Sequence, residues 1–185
     1  LQPYPGARRA RPPRACGTGA GRLTCASPVR GRVASACNVP AVAKAEMDAM
    51  RLYVDLGRRL GLLLAQTSQG AIQKAKILYR GDVAQRSTKL ITAAFAAGLL
   101  ENRLDQNVNI VNARLLAAER GIEIVEQTST QTGDFTTFLR IDVQTDKKTY
   151  TAAGTLFGSQ YLRLVQIGQF HIDAFMDGAM RIFTH

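Results

Sequence analysis

The sequence predicts an α+β domain, with helices packed on an antiparallel or mixed β-sheet and preceded by a disordered N-terminal tail. Apolar positions recur at helical spacing as far as about residue 120, and from Ile122 the period becomes twofold. Residues 1–40 have a composition of their own. The 185 residues suit one globular unit with a core, and 46% hydrophobic with 21% charged residues is ordinary for a soluble domain. No apolar run approaches the roughly 18 residues a membrane span requires, so no membrane partner is expected.

The net charge of +10 is unevenly placed. Residues 1–40 hold seven arginines, no lysine, no acid, all six prolines and all three cysteines, Cys16, Cys25 and Cys37. Such a segment buries too little apolar surface to offset its ordering entropy, and residues 1–37 read as a disordered basic tail. Three origins compete for it. Arg-rich, acid-free sequence is the signature of an organellar transit peptide. A nucleic-acid arm would use the same arginines against phosphates, with Tyr4 alone available to stack on bases. Mistranslated DNA accounts best for the absent initiator Met and the abrupt change in composition. Cysteine spacings of nine and twelve match no zinc pattern, and an odd number closes no disulfide set, so no metal is assigned.

The first helix spans Glu46 to about Ala65, with Met47, Met50, Val54, Leu60 and Leu64 near one face. Gly57 and Gly61, four apart, either admit another backbone closely or are simply tolerated. Lys76–Arg80 reads as a strand. Gly81 then turns the chain, and Asp82, with Gln85 three residues on, caps a second helix running to about Leu100. Val83, Leu90, Ile91, Ala94, Phe95 and Leu99 form its buried face. A short third helix follows Asn112 and stops at Gly121. Strands are expected at 122–128, 135–144, 148–157, 162–167, 169–175 and 179–184, with short links that favour antiparallel neighbours.

Catalytic signals are sparse. Gly17, Gly19 and Gly21 lie in the tail with no strand before them and no helix after, which is no dinucleotide fingerprint. His171 and Asp173 share one side of a strand, the minimum for acid–base work, but a solvated strand face explains them without a nucleophile or pocket. Arg80, Arg120 and Arg163 each end or begin an element, and arginine suits bidentate contact with carboxylate or phosphate. These three are the candidate anion- or effector-binding residues. Solvated charges are the plainer alternative, with Arg120 also favourable at a helix C-terminus.

Several ordered motifs resemble the segment that follows the catalytic part of long-form bacterial D-3-phosphoglycerate dehydrogenases. They are Asn38-Val39-Pro40-Ala41-Val42, Arg51-Leu52-Tyr53-Val54-Asp55-Leu56-Gly57-Arg58-Arg59-Leu60-Gly61 and Tyr79-Arg80-Gly81-Asp82. Val111-Asn112-Ala113-Arg114-Leu115-Leu116-Ala117-Ala118-Glu119-Arg120-Gly121 and Ala153-Gly154-Thr155-Leu156-Phe157-Gly158 are similar to the most recognisable motifs of that family's intervening domain. Val165-Gln166-Ile167 with His171-Ile172-Asp173 resembles its closing hairpin.

The resemblance implies an intervening, allosteric substrate-binding-like domain over 38–178, with 179–185 the start of a truncated C-terminal ACT domain. The family enzyme oxidises 3-phosphoglycerate with NAD in the first step of L-serine biosynthesis. Its catalytic and nucleotide-binding residues lie upstream, so a regulatory and assembly fragment with no catalytic residue and no cofactor of its own is expected. The implied partners are the rest of the dehydrogenase chain, a homo-oligomer and a small phosphorylated acid. In this resemblance Arg163 matches a basic position of the effector site, and Phe175 stands where a second base is expected. The implied compartment is the cytoplasm, or an organelle if the tail is a transit peptide. Iron–sulfur L-serine dehydratases carry a related domain but need cysteines that the body lacks. The reading from a different class is a basic nucleic-acid-binding protein using the Arg-rich tail.

Overall fold

Strand β1 (Ile72–Gly81) shows how the sequence builds this domain: Ala75, Ile77 and Tyr79 are fully buried while Lys74, Lys76 and Arg80 alternate to the other side. The computed structural model describes residues 44–104, 106–131, 133–158 and 161–183. The basic tail, its cysteines and glycine cluster, and Asn38–Val42 lie outside the described residues.

Helix α1 (Lys44–Thr67) precedes β1, and α2 (Thr88–Leu100) and α3 (Ala113–Glu119) follow it. The remaining strands are β2 (Glu123–Ser129), β3 (Thr137–Thr145), β4 (Thr149–Phe157), β5 (Tyr161–Ile167) and β6 (Phe170–Phe175). They form one six-stranded sheet in the order β2-β1-β3-β4-β5-β6. β1 and β2 are parallel, joined through α2 and α3, and every other neighbouring pair is antiparallel. The expected α+β class is therefore the observed one, with a mixed sheet.

The helices cover one face of the sheet. Leu56 and Leu60 of α1 close on Gly154 of β4, and Leu139, Ile141 and Val143 of β3 supply the same core. Helix α2 is buried at every position from Leu90 to Leu100, because α1 packs against it where the sheet does not. That second contact is backbone to backbone. A Cβ at Gly61 would strike the Phe95 carbonyl and lie 2.9 Å from Leu99 N; one at Gly98 would strike the Arg58 carbonyl and lie 3.1 Å from Leu62 N. Of the two readings of the α1 glycines, close approach is the one realised. Arg58 then joins both oxygens of Glu101 at 2.8 Å, tying α1 to the end of α2. Arg103 secures the C-terminal end of α1 by donating to the carbonyls of Ala65, Ser68 and Gly70.

Three local expectations differ from the structure. Asp82–Gln85 forms a separate 3-10 turn and α2 begins after Ser87, so Asp82 does not cap it. The buried Val83 and the Gly81 backbone, held at φ 78 with Asp82 N donating to the Thr136 carbonyl, fix this turn before the helix can start. Asn112 stands before α3, but its Oδ1 accepts from Asn109 N, ordering the preceding turn, and makes no cap bond. Described residues 179–183 form no strand; the chain leaves the sheet after Met176, whose carbonyl is taken by Arg59. Gly121 ends α3 as expected: at φ 73, its N–H reaches Ala118 O while Ile122 N reaches Ala117 O.

Two outcomes follow. Alanine normally stabilises a helix interior relative to glycine by about 1 kcal/mol, but Gly61→Ala and Gly98→Ala are expected to destabilise by about 1–3 kcal/mol through overpacking, measured by urea unfolding. Burial pushes the Tyr79 hydroxyl well above the usual tyrosine pKa of 10.0, partly offset by its 2.7 Å bond with Thr92. A raised folded-state value means that this stability is complete below the unfolded pKa and is lost as pH rises past it. Unfolding midpoints should fall above about pH 10, and less steeply in Tyr79→Phe.

Candidate functional site

The face of the sheet turned away from the helices carries most of the candidate chemistry. Strand alternation sends Arg80 to that face from β1, between the buried Tyr79 and Gly81. Register then lines up a row across the sheet. Ser129 of β2 pairs with Arg80 and Arg80 with Phe138 of β3. Leu139 pairs with Gly154, which sets Phe138 beside Thr155 of β4 one step further on. Thr155 pairs with Arg163 of β5, and Arg163 with Phe175 of β6. Arg80 and Arg163 therefore share one face and one row, three strand spacings or about 14 Å apart.

Each arginine lies against aromatic rings. The Arg163 guanidinium is 4.1 Å from the Phe175 centroid and 5.2 Å from that of Phe157, and Tyr161 meets Phe175 edge-on. Arg80 is 4.7 Å from Phe138, which stacks in turn on Phe135. These contacts hold the guanidinium planes and shield their stems. The Nε of both arginines is buried with no hydrogen-bond partner. Their charges are handled differently: Arg163 Nη1 reaches Asp173 at 2.5 Å, whereas Arg80 has no carboxylate partner among the described residues.

Arg120 is elsewhere. It follows α3 and lines a cavity of about 480 Å³ with Arg103, Ile72, Leu100 and Ile122. Ile72 is at the opposite end of β1 from Arg80, eight residues or about 26 Å along the strand. The three candidate arginines thus form one open-face pair and one separate residue. His171 and Asp173 both sit exposed on β6, and Asp173 is engaged by Arg163. Among the described residues no group of three His, Cys, Asp or Glu is placed to hold a metal ion.

The sequence reading missed the aromatic partners Phe138, Phe157 and Tyr161. Twofold alternation around Arg80 and Arg163 was the available signal, but it gives no cross-strand neighbour. It also missed an apolar groove of about 500 Å³ between Leu64 and Tyr150 on one side and Phe170, Ile172 and Phe183 on the other.

Residues 49–168 match a family model described as the D-3-phosphoglycerate dehydrogenase intervening domain. The chain belongs to that family. It is 33% identical over 153 residues to the D-3-phosphoglycerate dehydrogenase of Bacillus subtilis, covering 83% of this chain and 29% of the relative. The corresponding enzymes of Archaeoglobus fulgidus and Methanocaldococcus jannaschii are 29% and 27% identical; 83% and 85% of this chain and 29% and 30% of theirs are covered. The chain spans about three-tenths of the length of the curated relatives it matches.

Within this intervening domain the family motifs coincide with structural joints. Arg51–Gly61 holds Gly57 and Gly61, which meet α2, and Ala153–Gly158 holds Gly154, which receives Leu56 and Leu60. Arg80, Arg120 and Arg163 lie inside the matched span, while Asp173 and Phe175 lie beyond its end at Gly168.

Asp173 is 68% exposed against 22% for Arg163, so the two partners should not be worth the same. Asp173→Asn should change stability by less than about 1 kcal/mol. Arg163→Ala should cost about 1–2 kcal/mol by losing both ring contacts and its packed stem, with guanidinium unfolding of each variant as the measurement.

Proposed function

We propose that this domain serves as an assembly and regulatory module of D-3-phosphoglycerate dehydrogenase, holding neighbouring domains of the enzyme and responding to a small phosphorylated acid. The observation that carries the reading is the family match over residues 49–168, in a chain covering about 29% of its relatives' length. The relatives' printed activity is that of the whole dehydrogenase; here it enters as the machine this domain is proposed to serve. Coupling of that kind needs an effector site and a second state. In this reading Arg163 is the effector contact, with Asp173 as the internal carboxylate that an incoming anion must displace.

NAD does not fit the described residues. A dinucleotide site needs a glycine-rich turn between a parallel strand and a helix, with open backbone against the pyrophosphate. Here the turn after β1 has one glycine, Gly81, and the space a Cβ would take there is filled by the Thr136 carbonyl. Oxidation of 3-phosphoglycerate, serine biosynthesis, a homo-oligomeric state and a cytoplasmic setting accordingly belong to the proposed whole enzyme.

Calorimetric titration with phosphohydroxypyruvate, phosphoglycerate and serine tests the regulatory part. Heat with at least one phosphorylated acid, reduced in Arg163→Gln, is expected; heat with none of the three removes the effector role and leaves scaffolding. An NAD-dependent 3-phosphoglycerate oxidation assay on the isolated chain should read zero, and turnover would overturn the assignment.

A further inference from the structure

Among the described residues, five arginines are partly withdrawn from solvent: Arg59, Arg80, Arg103, Arg140 and Arg163. Four have acceptors. Arg59 bonds Asp55 and the Met176 carbonyl, Arg103 bonds three backbone carbonyls and Ser68, Arg140 bonds Asp142, and Arg163 bonds Asp173. Arg80 alone among them has neither an ion pair nor a hydrogen bond with another described residue, and its Nε is buried without a partner. The arginines that also lack acceptors, Arg51, Arg86, Arg120 and Arg181, are exposed, where water serves every donor.

The surroundings of Arg80 hold the group in place without satisfying it. Phe138 supports one side of the guanidinium, and Phe135 braces Phe138 at 6.0 Å in a near-parallel stack. Gly133, between β2 and β3, comes close to the guanidinium: a Cβ there would lie 2.6 Å from Arg80 Nη2. Only Nε is sealed from solvent without a partner, so the two Nη groups keep an outward edge. Asp82, two residues along the chain, and Asp134, next to Gly133, are exposed and form no ion pair with it. A planar fork is fixed, partly desolvated and left with free donors, which is the condition under which bidentate capture of an oxyanion is strongest.

We propose that Arg80, seated on Phe138 beside Gly133, is a second oxyanion-binding point of this domain, taking the carboxylate or phosphate of a small ligand. It shares the ligand chemistry of the effector reading above but not its location, since Arg163 is about 14 Å away across the sheet and already holds a carboxylate. Binding there neutralises the one partly buried guanidinium that finds no acceptor among the described residues.

The test is a titration of the ¹⁵N-labelled full chain with inorganic phosphate and, separately, acetate, at ionic strength fixed with chloride. Arginine Nε–Hε resonances are followed. The Arg80 resonance should shift saturably with at least one probe, while that of exposed Arg86 drifts without saturation. A response to phosphate alone assigns a phosphorylated ligand, and one to acetate alone assigns a carboxylate. Arg80→Lys keeps the charge but loses the fork, and should weaken the affinity about tenfold. The proposal fails if Arg80 and Arg86 drift in parallel with both probes, or if Arg80→Lys binds as tightly as the parent. Should that variant not fold, the parent titration still decides. A titration heat left unchanged by Arg163→Gln would sink the effector reading and leave this one standing, since this one is read at the Arg80 resonance.

Discussion

The domain depends on two helices touching through their backbones. Gly61 faces Phe95 and Leu99, and Gly98 faces Arg58 and Leu62, so at these two positions α1 and α2 approach too closely for a side chain between them. The consequence is a thin helical layer in which α2 is wrapped on all sides by α1 and its own neighbours, and α1 is left to reach β3 and β4. A wider separation would carry Leu56 and Leu60 off Gly154 and open the core at the middle of the sheet. Because both large helices serve one face, the opposite face of the sheet has none among the described residues, and the charged and aromatic chemistry collects there.

That open face is not an ordinary solvated one. Ala153 and Thr155 alternate to the side away from Gly154, yet they are almost wholly buried. Short side chains in the middle of the row leave a trough that Phe138, Arg163 and Phe157 fill from the flanking positions. Thr155 also donates to the Thr137 carbonyl. The arginine stems therefore act as the apolar cover of this face, and their charged ends are held at its rim. Packing and charge placement are the same act here, which is why the arginines are partly desolvated at all.

Much of this was legible in the sequence, and the parts that were not share a cause. Twofold alternation located five of the six strands on the correct side of Ile122, and the helical stripe of α1 was plain from Met50, Val54, Leu60 and Leu64. The first turn after β1 was misread because Asp82 and Gln85 have capping-box spacing. What decides the conformation there is tertiary: Val83 is pulled into the core and Asp82 N is held by Thr136, fifty-four residues away. The segment Met180 to Phe183 alternates like a strand but has no partner, since Arg59 and the Met176 carbonyl divert the chain beforehand. Parallel pairing of β1 with β2 was likewise out of reach, because no local pattern names a strand's neighbour.

The candidate site shows the same limit more sharply. Arginine as a residue type pointed to anions, but spacing along the chain could not tell that Arg80 and Arg163 fall in one row while Arg120 sits at the far end of β1. Nor could it tell which charge was already used. Asp173 reads as a companion of His171, two residues before it, yet β5–β6 pairing presents it to Arg163 instead. An internal carboxylate changes what Arg163 can do: any external anion there exchanges one ion pair for another and gains only the difference. At Arg80 there is no such pair to break, so a weaker ligand can achieve the same occupancy. The free energy available to a ligand is thus set less by how many basic residues the sequence holds than by which of them the fold leaves without an acceptor.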